Sequence, residues 1–142
     1  MEKRWSIEFY EDPQGRRPVE SWIDRLTDQK AQAVLVALEE VLAVRGLALA
    51  SSAWLKALRG GLYEFRIRHS ATQIRQMYKA ANQELKEPAA EVLLRIFVAF
   101  EGNQVIVLLG AYDKGKNNKA AFQQEQIGIA RKRLKEWRRR RG

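Results

Sequence analysis

An α+β fold, an antiparallel-rich sheet with an N-terminal helical hairpin on one face and a C-terminal helix, is predicted by three observations. Residues 4–10, 62–68 and 92–112 alternate apolar and polar side chains or run as apolar pairs around a turn, as strands do. Two consecutive stretches with apolar residues at helical spacing lie between the first and second of these, and a third closes the chain. Strands and helices are grouped rather than strictly alternating, which favours a layered α+β arrangement over a parallel doubly wound one.

At 142 residues the chain is read as one domain, 1–142, long enough to bury a core without covalent staples. It has no cysteine, so it forms no disulfide and no thiolate metal site, which fits a reducing compartment. The opening MEKRWSIEFYEDPQG lacks the apolar core of a signal peptide, and no apolar run approaches the roughly 18 residues of a membrane span. The expectation is a cytoplasmic protein with no membrane partner.

The net charge of +9 is unevenly placed. Residues 131–142 hold eight basic side chains and one acid, a net +7, which leaves only +2 for the rest. Such a tail is either a solvated helix end complementing the macrodipole or a clamp on phosphates. Charge alone does not choose between them.

Taken in order, Trp5, Ile7 and Phe9 alternate with Ser6, Glu8 and Tyr10 as a half-buried strand, which Glu11-Asp12-Pro13-Gln14-Gly15 ends. Pro18 suits a first helical turn, and Val19, Trp22, Ile23 and Leu26 form the stripe behind it. Thr27-Asp28 caps a second helix with Val34, Leu35, Leu38, Val41 and Leu42 at helical spacing, and Gly46 stops it. Residues 47–61 read as a connector, with Trp54 and Leu55 inward and Lys56 and Arg59 outward. In the next strand Tyr63, Phe65 and Ile67 share one face, and Glu64, Arg66 and Arg68 the other. A helical insertion at about 69–91 follows, opened by the capping box Ser70-Ala71-Thr72-Gln73, with Ile74, Met77 and Tyr78 at helical spacing.

The stretch VLLRIFVAFEGNQVIVLLGAYDKGKNN, residues 92–118, is a hairpin. Leu94, Ile96, Val98 and Phe100 face one way, and Leu93, Arg95, Phe97 and Ala99 the other. Glu101-Gly102-Asn103 turns the chain. The second strand is apolar on both faces, as a central strand covered on both sides would be. The last helix starts near Asn117-Asn118, with Ile127, Ala130, Leu134 and Trp137 as its inward stripe.

Two arginines on adjacent strands, Arg66 and Arg95, repel unless they share an anion or a carboxylate such as Glu64. The face opposite the helical hairpin is expected to display Arg66, Arg95 and Phe97, with Tyr112 to Lys116 at its rim.

Leu58 to Ile67 (LRGGLYEFRI), Leu94-Arg95-Ile96-Phe97 and Val107 to Lys114 (VLLGAYDK) together resemble the phage-derived branch of the RelE/HigB toxins of type II toxin–antitoxin systems. With the early helical hairpin and the last helix, the resemblance covers most of the chain. It implies an endoribonuclease that cuts mRNA, often on the ribosome, and is neutralised by an antitoxin, frequently a helix-turn-helix DNA-binding protein. It also implies Arg66, Arg95, Tyr112 and Lys114 as catalytic candidates. Lys116, Phe97, Lys56 and Arg68 are the candidates for RNA contact. The chain departs from the family where Gly110 or a neighbour replaces a strand histidine, and where Gly115 separates two lysines that are often adjacent.

No His, Asp and Glu cluster has metal-ligand spacing, so no metal or other cofactor is expected, and the metal-free route is attack of the 2′-hydroxyl on its own phosphate. Arg66 and Arg95 offer planar forks to the phosphoryl oxygens, and Phe97 or Tyr112 could stack on a base. A lysine base would have to fall about 3 units from ~10.4, so Lys114 is assigned an electrostatic role. His69, the only histidine, is read as an exposed bystander, and the base is left unassigned. The alternatives are a non-catalytic or gyrase-directed ParE-like toxin, and a phage-derived nucleic-acid-binding protein.

Overall fold

The computed structural model describes residues 4–79 and 92–141. Five strands, β1 (Ser6–Phe9), β2 (Leu55–Ala57), β3 (Leu62–Ile67), β4 (Leu94–Glu101) and β5 (Val105–Asp113), form one sheet in the order β1-β5-β4-β3-β2. β1 runs parallel to β5, and the other pairings are antiparallel. The apolar-on-both-faces pattern of β5 is explained by its place between β1 and β4 with helices above and below. Between Phe97 and Val98 the β4–β5 register shifts by one, leaving Leu109 as the extra residue of a bulge.

Helix α1 (Pro18–Asp24) begins at its proline and buries Val19 and Ile23. Helix α2 (Asp28–Val36) is capped by Thr27, whose hydroxyl accepts the Lys30 amide at 3.4 Å. The rod continues through a π-helical segment, Ala37–Leu42, into α3 (Ala43–Arg45). Leu35, expected in the inward stripe, is instead 41% exposed, whereas Ala33, Val34, Val36 and Ala37 are buried. The wider π turn re-phases the apolar face, which a strict 3.6-residue period does not anticipate. Gly46 ends the rod at φ +51°, where a Cβ would lie 2.0 Å from Trp5 Nε1.

The predicted connector contains a 3₁₀ turn, Gly46–Ser51, and the edge strand β2 paired with β3. Three residues are too few to show alternation. Helix α4 (Ala71–Lys79) carries the expected capping box: the Gln73 amide donates to Ser70 Oγ at 3.3 Å and the Ser70 amide to Gln73 Oε1 at 3.1 Å. Ile74 is buried, but Met77 and Tyr78 are exposed, with the Arg45 guanidinium 4.5 Å from the Tyr78 ring centre. The rest of the predicted insertion, 80–91, lies outside the described residues.

One core joins α1, α2 and α4 to the sheet face of Phe65, Ile67, Leu94, Ile96, Val98, Ile106 and Leu108. A second lies beneath α5 (Ala120–Arg141), whose Ile127, Ala130, Leu134 and Trp137 are buried as expected. The sheet is therefore covered on both sides, and the face expected to be open is roofed by α5. β1 is half-buried as expected, with Ser6 exposed and Ile7 to Phe9 partly covered, whereas Tyr10 just beyond it is buried in this second core. No described helix is long and apolar enough to cross a membrane.

Candidate functional site

Strand register brings the separated candidates into one row. Arg66 of β3 lies opposite Arg95 of β4, which lies opposite Tyr112 of β5. The side chains share the α5 side of the sheet with Leu62, Glu64 and Phe97. Glu64, without solvent exposure, organises them. Its Oε1 accepts from Arg66 Nε at 3.0 Å and lies 3.7 Å from Arg95 Nε, and its Oε2 accepts from Gln123 Nε2 of α5 at 2.9 Å. Of the two ways that adjacent arginines can coexist, this chain uses the carboxylate. Both guanidinium groups lean on one internal partner, so no external anion is needed to hold them together.

The row is graded in depth. The Arg66 side chain is 22% exposed, whereas Arg95 is 3% and Tyr112 4% exposed. Arg95 donates through Nη1 to the Leu94 carbonyl at 3.2 Å, and its Nε makes no hydrogen bond. Burial pushes its guanidinium below the ordinary arginine range, opposed by Glu64 and reinforced by Arg66 and Arg68. Tyr112 is stacked on Phe97 at 5.9 Å and met edge-on by Phe122 of α5 at 5.6 Å. Burial, and then Glu64, raise its phenol above the ordinary value, so it stays protonated.

These contacts correct three expectations. Phe97 is fully buried and cannot stack on a base, and the same holds for Tyr112. Arg95 lies behind Arg66 rather than beside it at the surface. The physical reason is common to all three: α5 occupies the face on which they were expected to be displayed.

The outer candidates are accessible. Lys56 and Arg68 are exposed at β2 and just past β3. His69 is half-buried against Trp54, ring centres 5.8 Å apart, in a packing position rather than an exposed one. Beyond the row, the Lys114 amide donates to the Leu93 carbonyl at 2.8 Å, and a cavity of about 510 Å³ opens. Its walls include Lys30, Asp113, Lys114, Lys116 and Asn118. Asp113 shapes it: Oδ1 accepts the Gly115 amide at 2.9 Å, and Oδ2 accepts from Lys30 Nζ at 2.6 Å. Its carbonyl accepts the Lys116 and Asn117 amides at 3.1 Å each.

Sequence reading missed Lys30, Asp113 and Gln123. Lys30 and Asp113 are 83 positions apart and belong to no shared motif, so only the tertiary fold reveals the pair.

The basic tail sits in the last turns of α5, where its charge complements the macrodipole, and most of its arginines also have partners within the protein. Arg131 donates to the Leu58 and Arg59 carbonyls and Arg133 to that of Leu109 at the bulge. Arg138 pairs with Glu101, Arg140 with Glu136 and Arg141 with Glu8. Apart from the Arg140–Glu136 pair, which lies within α5, these contacts tie α5 to the sheet and its turns, whereas no ion pair is seen for Lys132, Lys135 and Arg139 among the described residues.

Comparison with known proteins finds no match: no family model, no curated protein and no solved structure.

Proposed function

We propose that the protein is a RelE/HigB-type toxin, an endoribonuclease that cuts mRNA on the ribosome without a metal and is held in check by a helix-turn-helix antitoxin. The observation that supports this most directly is the charge imbalance of the row. Arg66 and Arg95, with Arg68 nearby, surround a single buried carboxylate, Glu64. Arg66 commits its Nε to Glu64, which in this reading leaves its terminal nitrogens to grip an oxyanion.

In this reading Arg66 grips the non-bridging oxygens of the scissile phosphate and stabilises the charge that grows as the 2′-hydroxyl attacks. Glu64 and Arg95 are positioning residues: Glu64 fixes the Arg66 fork through Nε, and Arg95 adds positive potential from below, where screening is weak. Tyr112, kept protonated, closes the floor of the site and is not the base. Lys114 adds charge at the open end.

Expression in a bacterial host tests this. Growth arrest accompanied by transcripts cut at codon boundaries is expected, and Arg66→Ala relieves the arrest while the purified chain keeps its circular dichroism. The burial of Arg95 and Tyr112 favours a second reading, a non-catalytic or gyrase-directed ParE-like toxin. Arrest with damaged DNA and intact transcripts would establish that one and discard the nuclease.

A further inference from the structure

We infer that the cavity at the C-terminal end of β5 is a phosphate subsite for a polynucleotide strand, with Lys30 of α2 as a recruited ligand beside Lys114 and Lys116. The choice of ligand rests on the nucleic-acid reading above; the anion site rests on the cavity itself. Three lysines and one aspartate line it, and that carboxylate already takes both the Gly115 amide and Lys30. The side chain of Asp113 is 8% exposed and that of Lys30 25%, so the lysine is the partner that can turn to a ligand. The cavity's volume, about 510 Å³, lies within the range of small-ligand sites.

Position supports the assignment. The Lys114-Gly115-Lys116 turn leaves the end of β5 directly after Tyr112 and Asp113, the strand end that carries the Tyr112 member of the Arg66–Arg95–Tyr112 row. A nucleic-acid strand gripped at one phosphate by Arg66 has to pass from β3 across β4 to the end of β5, roughly 10 Å at ~4.8 Å per strand, to meet the cavity. Asp113 serves two purposes: its acceptor oxygen shapes the Lys114-Gly115-Lys116 loop, and its charge holds Lys30 in reserve. An arriving phosphate competes with Asp113 for the Lys30 ammonium.

The competition predicts opposite signs for two substitutions. The full chain is titrated with inorganic phosphate and with a short 2′-O-methyl oligonucleotide that cannot be cut, following the Gly115 and Lys116 amides by NMR. Saturable shifts are expected with both probes. Lys30→Gln weakens phosphate binding about tenfold, the scale of one charge-assisted contact, and Lys30→Arg retains it. Asp113→Asn keeps an acceptor for the Gly115 amide, removes the competing charge and tightens binding. Absence of saturable shifts in the wild-type chain overturns the subsite. So does weakening by both Lys30→Gln and Asp113→Asn, which marks the pair as purely structural. If Lys30 dependence holds but Arg66→Ala stays fully toxic, the nuclease reading fails and the subsite stands. If Arg66→Ala abolishes cutting while phosphate binding ignores Lys30, the subsite alone fails.

Discussion

Glu64 sits without solvent contact between two guanidinium groups and the Gln123 amide, so its removal costs more than the pair contributes. Glu64→Gln strands Arg95 as a buried charge without a counter-ion; a loss of about 3 kcal/mol in chemical denaturation is expected. Tyr10 offers a second measurable consequence. Burial, and then its 2.7 Å hydrogen bond to Glu136, push its phenol up from 10.0 to about 12. The unfolded chain therefore releases this proton first as pH rises. The associated stability is complete below pH 10 and is lost progressively toward pH 12. Tyr10→Phe should flatten that part of the stability–pH curve, and it should also weaken the acid side, because the Tyr10 hydroxyl is the main cause holding Glu136 below the ordinary carboxylate value. Glu64 was legible as a candidate partner because its spacing put it on the face of Arg66. The depth of Arg95 was not, since alternation gives the side of a sheet and not what covers it.

The end of the α2–α3 rod and the turn between β2 and β3 show how single elements are held. At Gly46 the chain needs both a positive φ and room for the Trp5 ring. Gly46→Ala violates both, and about 2–3 kcal/mol of destabilisation is expected by thermal or chemical unfolding. The β2–β3 turn places Arg59, Gly60 and Gly61 at φ +75°, +67° and +81° in succession, a strained path for the arginine. Arg131 of α5 ties the Leu58 and Arg59 carbonyls from outside. Arg131→Ala should cost about 1 kcal/mol and speed hydrogen exchange at the Leu58 amide, which donates to the Leu62 carbonyl, and at the Leu62 amide, which donates to that of Arg59. The Gly60-Gly61 turn and the Gly46 stop could be read in the sequence because glycine marks positions few other residues tolerate. The Arg131 tie could not, because it joins segments 72 residues apart.

Across the molecule, the +9 charge divides into fastened and free cations. Arginines of α5 are committed to carbonyls and carboxylates of the sheet edges, while Lys114 and Lys116 face the open cavity. Binding to single-stranded nucleic acid should reflect this division. Replacing Lys114 and Lys116 together with Gln should reduce the log–log salt slope by about 1.4, roughly 0.7 for each phosphate that is no longer neutralised. Replacing Arg138 and Arg141 with Gln should leave the slope nearly unchanged and lower the melting temperature, because those charges hold α5 rather than a ligand.

Local pattern alone determined the four longer strands and the main helices, though not β2, and with them which face of β3 and β4 carries the arginines and the inward stripe of α5. Each follows from backbone periodicity, which needs no knowledge of distant neighbours. Only the tertiary structure decided that α5 roofs the arginine-bearing face, that Glu64 satisfies both guanidinium groups, and that Lys30 meets Asp113 beside the Lys114–Lys116 loop. Those outcomes depend on where whole elements dock, and docking is set by the sum of many apolar contacts and charge pairings made between segments remote in the chain.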